Sequence, residues 1–289
     1  MKPSRFEYYA AASIDNAISL MAELGDDARF IAGGQSLVPM MNFRVAAPPA
    51  LIDLNGVAEL SEVHLDVDGA LHVGAMTRTR YLETDPEIAA ANPLLAAATV
   101  HVAHTQIRNR GTIGGSIAHA DPAAELPGIA LVCDAEICLR GTSGARVVKA
   151  ANFFEGVFTT AVQEGELIEK ICFPAWPKER CWGFQEISRR EGDFALVGVA
   201  AWFDTDADGA ISACRIVAIG AGDRPLRLPA AEDTLTGSTP SPSLFEAAAD
   251  KVAADVEPFE DIHASADYRC EVAAVLVART LTQAWERQP

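Results

Sequence analysis

The sequence predicts an α+β chain of two domains, residues 1–176 and 177–289, and three observations carry that prediction. Helix-like and strand-like segments mix without a regular repeat as far as residues 174–177, where two prolines mark a boundary. From Trp182 onward three strand-like runs follow one another through turns, the pattern of an antiparallel sheet. Two stretches with helical spacing then close the chain. At 289 residues, 49% of them hydrophobic, the chain can bury a large core and exceeds the usual size of one compact domain.

In the first part, Ser13 is placed to cap a helix with Ile14, Ala17, Ile18, Met21 and Leu24 on one face, and Gly25 to end it. A short strand at residues 29–32 runs into Gly33, Gly34, Gln35 and Ser36, after which LVPMMNFR reads as a short helical turn with Pro39 near its start. ALIDL, ALHVGA, AEICLR and ELIEKICFP are predicted strands, and residues 93–104 and 152–157 are predicted helical. In the second part FQEISRR, FALVGVAAWF and ISACRIVAIGA supply the sheet. The closing helices are expected at residues 243–256 and from about Asp267, the second carrying Val272, Val275, Leu276, Leu281 and Trp285 on one face.

Composition narrows the function. With 23 basic against 40 acidic residues, the net charge of −17 repels phosphate backbones and anionic membrane surfaces, which argues against nucleic acid as a partner. Apolar runs break well before the roughly 18 residues that a membrane span needs. Ser13, Asp15, Asn16 and Ser19 interrupt the N-terminal apolar runs, so no signal peptide is expected. The cysteines, at 133, 138, 172, 181, 214 and 270, form no C-x-x-C pair and show no zinc-finger spacing with histidine. They read as reduced, partly buried thiols of a cytoplasmic protein rather than as ligands of an iron–sulfur cluster.

The chemistry concentrates in two glycine loops. The first, AGGQS at 32–36, removes side chains where a backbone must approach a ligand and leaves amides free to face an anion. The second, RNRGTIGGSIAHADPAAELP at 108–127, repeats the device with Thr112, Gly114, Gly115 and Ser116. Two such loops about eighty residues apart suit a ligand with two phosphates, such as a dinucleotide. Neither loop reads G-x-G-x-x-G, and no P-loop is present, so the doubly wound NAD fold is disfavoured.

Other tempting features read as structure. DTDADG at 204–209 opens like a calcium loop, but Arg215 stands where the twelfth-position Glu belongs, so a polar hairpin turn is expected. His101 and His104 are one helical turn apart without a third ligand at suitable spacing. His119 and Asp121 have no nucleophile beside them and are assigned to loop shaping or cofactor contact. No metal ligand and no catalytic side chain is expected.

The motifs AGGQSLVPMM at 32–41 and IRNRGTIGGS at 107–116 resemble those of a known family, the medium, FAD-binding subunits of the xanthine dehydrogenase and carbon monoxide dehydrogenase group of molybdenum hydroxylases. The resemblance spans nearly the whole chain. It implies a p-cresol methylhydroxylase-type FAD-binding domain of two α/β subdomains, followed by a smaller α+β domain with an antiparallel sheet and C-terminal helices. It places Ala32, Gly33, Gly34, Gln35, Ser36 and Leu37, with Thr112, Ile113, Gly114, Gly115 and Ser116, around the FAD pyrophosphate, and Val102 and Ala103 near the nucleotide part. Asp121 and Glu125 fall near the flavin ring or ribityl chain, and Ile168 against the isoalloxazine. SRREGDFA looks like the family's segment across the other flavin edge, where Gln185, Glu186 and Phe194 occupy positions at which several relatives carry a Lys and an aromatic residue.

By this resemblance the chain is the electron-transfer flavoprotein of a complex, passing electrons from iron–sulfur clusters through FAD to NAD, quinone or another acceptor. The molybdenum cofactor would sit in a large partner subunit and [2Fe-2S] clusters in a small one, in a hetero-oligomer of which a dimer of heterotrimers is one arrangement. Two alternatives stay open: a stand-alone FAD oxidoreductase of the same fold, and a nucleotide-binding assembly subunit without redox activity.

Overall fold

A computed structural model describes residues 2–287. It begins with a parallel three-stranded sheet in which strand Ala50–Asp53 lies between Glu7–Ala10 and Arg29–Ile31. Helix Ile14–Leu24 makes the first crossover, as its sequence pattern requires. Ser13 Oγ accepts from the Asn16 amide at 3.1 Å, and Asn16 Oδ1 in turn accepts from the Ala12 amide at 3.0 Å. Gly25, at φ 77°, ends the helix in a conformation that an L side chain rarely adopts.

A second, antiparallel sheet has the order Val63–Leu65, Leu71–Gly74, Leu167–Phe173, Glu136–Gly141, Gly144–Lys149. Between its second and fourth strands in that order, the chain inserts short helices, among them Pro93–Thr99, Ile113–His119 and Glu125–Val132. Short helices suit this region because Asp85 and Asn92 each cap a new one while a proline follows at its first position.

The C-terminal sheet pairs Cys181–Ser188, Ala195–Thr205, Ile211–Ile219 and Leu226–Arg227 in that order, all antiparallel. One face carries helices Pro229–Leu235, Pro242–Ala249 and Ala266–Glu286 over a core that includes Val197, Val199, Phe203, Leu276 and Leu281. The other face packs Phe184, Ala200, Trp202 and Val217 into the core of the first part. Helix Glu125–Val132 lies at that junction and is buried at every position. A Cβ on Gly128 would stand 2.5 Å from Ile219 Cγ2, so this helix and the C-terminal sheet touch backbone to side chain. Trp202 Nε1 donates to the Val132 carbonyl at 2.6 Å, and Arg180 stacks over the Trp202 ring at 3.6 Å.

The structure corrects the sequence reading at several elements, among them the helix expected over 93–104, which stops at Thr99. Residues 152–157 form no α-helix: a 3-10 turn at Ala150–Asn152 leads into strand Phe154–Gly156, which pairs with Thr159–Thr160. Phe153 and Phe154 are both buried, so tertiary packing decides this short apolar run. The helix expected over 243–256 stops at Ala249 and resumes only as a 3-10 turn at Val252–Ala254. Helix Pro229–Leu235 was not anticipated, although a proline marks its first turn. The 204–209 segment is a hairpin turn, in which Asp206 Oδ1 accepts from the amides of Asp208 and Ala210 at 3.0 Å each.

Candidate cofactor site

The two glycine loops meet. A Cβ on Gly33 would lie 2.2 Å from the Arg110 carbonyl oxygen, and one on Gly114 would lie 2.4 Å from Ala75 Cβ. Both positions exclude a side chain because protein backbone passes there: Gly33 lets the two loops meet, and Gly114 seats the second loop against Ala75, before any ligand is considered. Asn55 and Arg78 fasten the junction. Asn55 Nδ2 donates to the Ala32 carbonyl at 3.0 Å, Arg78 Nη2 donates to Asn55 Oδ1 at 2.6 Å, and Arg78 Nη1 donates to the Arg110 carbonyl at 2.5 Å. Burial, and then the neighbouring Arg110 charge, lower the Arg78 pKa.

The loops differ in what they leave free. Among the described residues, the amides of Gly33, Gly34, Gln35, Ser36 and Leu37 donate to no protein acceptor, and the Ser36 hydroxyl caps nothing. In the second loop the Gly114 amide goes to the Ala75 carbonyl at 2.9 Å, Gly115 to Thr112 Oγ1 at 3.1 Å and Ser116 to the Thr112 carbonyl at 3.1 Å. Thr112 is the cap of helix Ile113–His119, which consumes the donors that the sequence suggested for an anion. The first loop therefore supplies unused amides, and the second supplies shape and the Ser116 side chain.

Between them opens a cavity of about 1120 Å³, at the upper end of the roughly 300–1,000 Å³ typical of small-molecule sites. Its wall includes Ala32 to Leu37 from the first loop, and Thr112, Gly114, Gly115 and Ser116 from the second. Val102, Ala103, Asp121, Glu125, Ile168 and Phe194 complete it from four separate segments. Ile113 is packed in the central core and does not reach the wall. Gln185 points the other way, into a cleft with Phe245 and Gln283 under the closing helices. Strand alternation explains this: Phe184 faces the first domain, so its neighbour Gln185 faces the helices and Glu186 returns to the first domain.

Glu186 is buried, with Oε1 3.4 Å from His101 Nδ1 and no partner for Oε2 among the described residues. Its charge acts on Glu125, which is 5% exposed. Burial, reinforced by Glu186, pushes the Glu125 carboxyl up to about 8, so near neutral pH it is largely a protonated donor at the cavity wall. His119 also lines the cavity; burial lowers its pKa, and its ring lies 4.8 Å from that of Phe158. Phe158, held at φ 52°, and the clasp residues Asn55 and Arg78 were missed in the sequence. The clasp joins residues 23 and 32 positions apart, which no local pattern signals.

Residues 4–176 match the family described as the FAD binding domain in molybdopterin dehydrogenase, and residues 182–284 match the CO dehydrogenase flavoprotein C-terminal domain. The chain belongs to the FAD-binding medium subunits of the molybdenum hydroxylase family. Among these medium subunits, the alpha subunit of the 6-hydroxypseudooxynicotine dehydrogenase complex of Paenarthrobacter nicotinovorans is 41% identical, the alignment covering 99% of this chain and 97% of that one. The carbon monoxide dehydrogenase medium chain of Hydrogenophaga pseudoflava is 37% identical, with 99% of each covered. A solved structure of carbon monoxide dehydrogenase from Hydrogenophaga pseudoflava, lacking the Mo-pyranopterin moiety of its cofactor, superposes with a TM-score of 0.97 at 39% identity, covering 100% of both chains. The expected architecture, an FAD-binding domain followed by a flavoprotein C-terminal domain, is thus that of this medium subunit, an oxidoreductase component with FAD as its cofactor. The residues present fit that group: unused amides and hydroxyls at one wall suit a pyrophosphate, and the cavity is large enough for a dinucleotide. No helix among the described residues is long and apolar enough to cross a membrane.

Proposed function

We propose that this medium subunit is the electron-transfer flavoprotein of a cytoplasmic molybdenum hydroxylase, taking electrons from a small iron–sulfur subunit and passing them to NAD, quinone or another acceptor. A large subunit with the molybdenum cofactor carries out the substrate chemistry. The observation that carries the proposal is the cavity itself, walled by a loop of unused amides and by a buried acid. Two relatives of similar identity are named for carbon monoxide and for 6-hydroxypseudooxynicotine, substrates with no chemistry in common. That contrast supports placing substrate choice on another chain. The free thiols of Cys133, Cys138, Cys172, Cys214 and Cys270 are in keeping with a reducing compartment.

FAD supplies the one- and two-electron chemistry when bound. In this reading the amides of residues 33–37 and the Ser36 hydroxyl bind the pyrophosphate, while Val102 and Ala103 bound the nucleotide part. Asp121 and Glu125 face the ribityl chain or flavin ring, Glu125 as a hydrogen-bond donor that brings no charge while protonated. Ile168 presents an aliphatic wall and Phe194 closes one edge. Glu186 acts through Glu125 rather than by contact, and Gln185 has no part in the site. Co-purification from the native source tests the assembly: a heteromer containing FAD, iron and molybdenum is expected. Recovery of the chain alone, with FAD and its own substrate turnover, would overturn the proposal in favour of a stand-alone oxidoreductase.

A further inference from the structure

The open face of the five-stranded sheet carries a second cluster of reactive side chains, remote from the roles assigned above. Strand pairing sets His64 opposite His72, and His72 opposite Cys172. Cys138 stands opposite Lys170 on the next strand, which makes it the diagonal neighbour of Cys172. Alternation turns all four away from the central core, which takes Val73, Ile137, Leu139 and Ile171 from the same strands. The two sulfurs are 3.7 Å apart. Cys172 Sγ lies 3.2 Å from His72 Nδ1, and His72 Nε2 lies 3.2 Å from Asp66 Oδ2. The His64 ring stacks on His72 at 4.7 Å, within 3° of parallel. Ordinary packing would account for two touching thiols, but not for an imidazole oriented by a carboxylate onto one of them.

We propose that Cys138, Cys172, His72 and Asp66 form a peroxide-reactive dithiol site, in which Cys138 is oxidised and Cys172 closes the disulfide. Both thiols are half-buried and so reachable, whereas Cys133, Cys181 and Cys214 are buried. The hydrogen bond from Cys172 and the Lys170 charge lower the Cys138 pKa against the opposing effect of burial and of Glu169 and Glu136. The same contact raises that of Cys172, which keeps its proton until a base removes it.

The Cys138 thiolate attacks a hydroperoxide oxygen: an S–O bond forms, the O–O bond breaks, and the departing alkoxide takes a proton equivalent to the one the thiol lost. Cys172 then gives its proton to His72 Nδ1, whose Nε2–H is held by Asp66, and attacks the sulfenic sulfur. The S–S bond forms as the S–O bond breaks, and the leaving hydroxide takes the proton from His72 as water. Two thiols are oxidised and one hydroperoxide is reduced. A disulfide needs sulfurs about 2 Å apart, so adjacent strands must close by less than about 2 Å from the present 3.7 Å.

The test uses the whole chain, purified under reducing conditions and exposed to stoichiometric hydrogen peroxide, with every cysteine followed by differential alkylation and peptide mass spectrometry. A Cys138–Cys172 disulfide should form at least about tenfold faster than oxidation of Cys270, the other half-buried thiol. Cys172→Ser should leave a sulfenic acid on Cys138 that a dimedone probe traps. His72→Asn should slow disulfide closure at least about tenfold without slowing loss of the Cys138 thiol. Oxidation of Cys270 at an equal rate, or a folded chain in which this pair stays reduced, would overturn the proposal. Neither outcome depends on FAD, so the flavoprotein reading stands or falls separately.

Discussion

Gly33 and Arg110 are in backbone contact across two loops, so close that a Cβ on Gly33 would stand 2.2 Å from the Arg110 carbonyl oxygen. Gly33, part of the first glycine pair that announces a cofactor site in the sequence, is thus needed first to let the loops touch. Gly33→Ala should cost about 1–3 kcal/mol through forced loop separation and should reduce FAD retention further than it reduces stability. Thermal melting and flavin content of the same preparation check this. An alanine variant with full FAD content and unchanged melting would contradict the packing.

The clasp between those loops is Asn55–Arg78. Arg78→Met leaves Asn55 Oδ1 and the Arg110 carbonyl without the donor that each now has. The expected loss is about 1–3 kcal/mol, with weaker FAD binding measured by titration of the FAD-free protein. Arg78→Lys should recover only part of it, because an ammonium lacks the guanidinium fork that reaches both acceptors.

Glu125 sets a pH dependence. Its folded pKa, about 8, lies above the ordinary 4.5 of a glutamate carboxyl. The native state therefore holds a proton that the unfolded state has lost, and stability falls as pH rises from about 4.5 to about 8. Glu125→Gln should remove that slope in the FAD-free protein and gain on the parent as pH rises, by about 5 kcal/mol at most. Denaturant melts at pH 5, 7 and 9 check the sign; parallel curves for parent and variant would contradict it.

Trp202 ties the C-terminal sheet to the helix that backs the cavity through its bond to the Val132 carbonyl. Trp202→Phe leaves that buried acceptor unpaired and puts a smaller ring under Arg180, at a cost of about 1–3 kcal/mol and a fall of several degrees in melting temperature. Circular dichroism melting measures it.

Local signals made much of this legible in the sequence. Ser13 and Gly25 delimit their helix because capping is a short-range interaction, and the three long C-terminal strands follow from strand-like runs bounded by turns. Sixteen of the expected site residues reach the cavity, ten of them because two motifs place them as blocks; Ile113, Gln185 and Glu186 do not. Gln185 fails by one residue of strand alternation, which only the packed sheet fixes. The Thr112 cap on Gly115 is local, but the Asn55–Arg78 clasp depends on how loops approach in space. No residue spacing encodes the latter.

The central claim, that this chain holds FAD between its two glycine loops, is tested most directly by the flavin content of the purified, folded protein. Denaturation should release one flavin per chain, identified by mass as the dinucleotide, and Gly115→Val should retain none while the C-terminal domain stays folded. A wild-type chain that remains free of flavin after incubation with excess FAD, although folded, would contradict it.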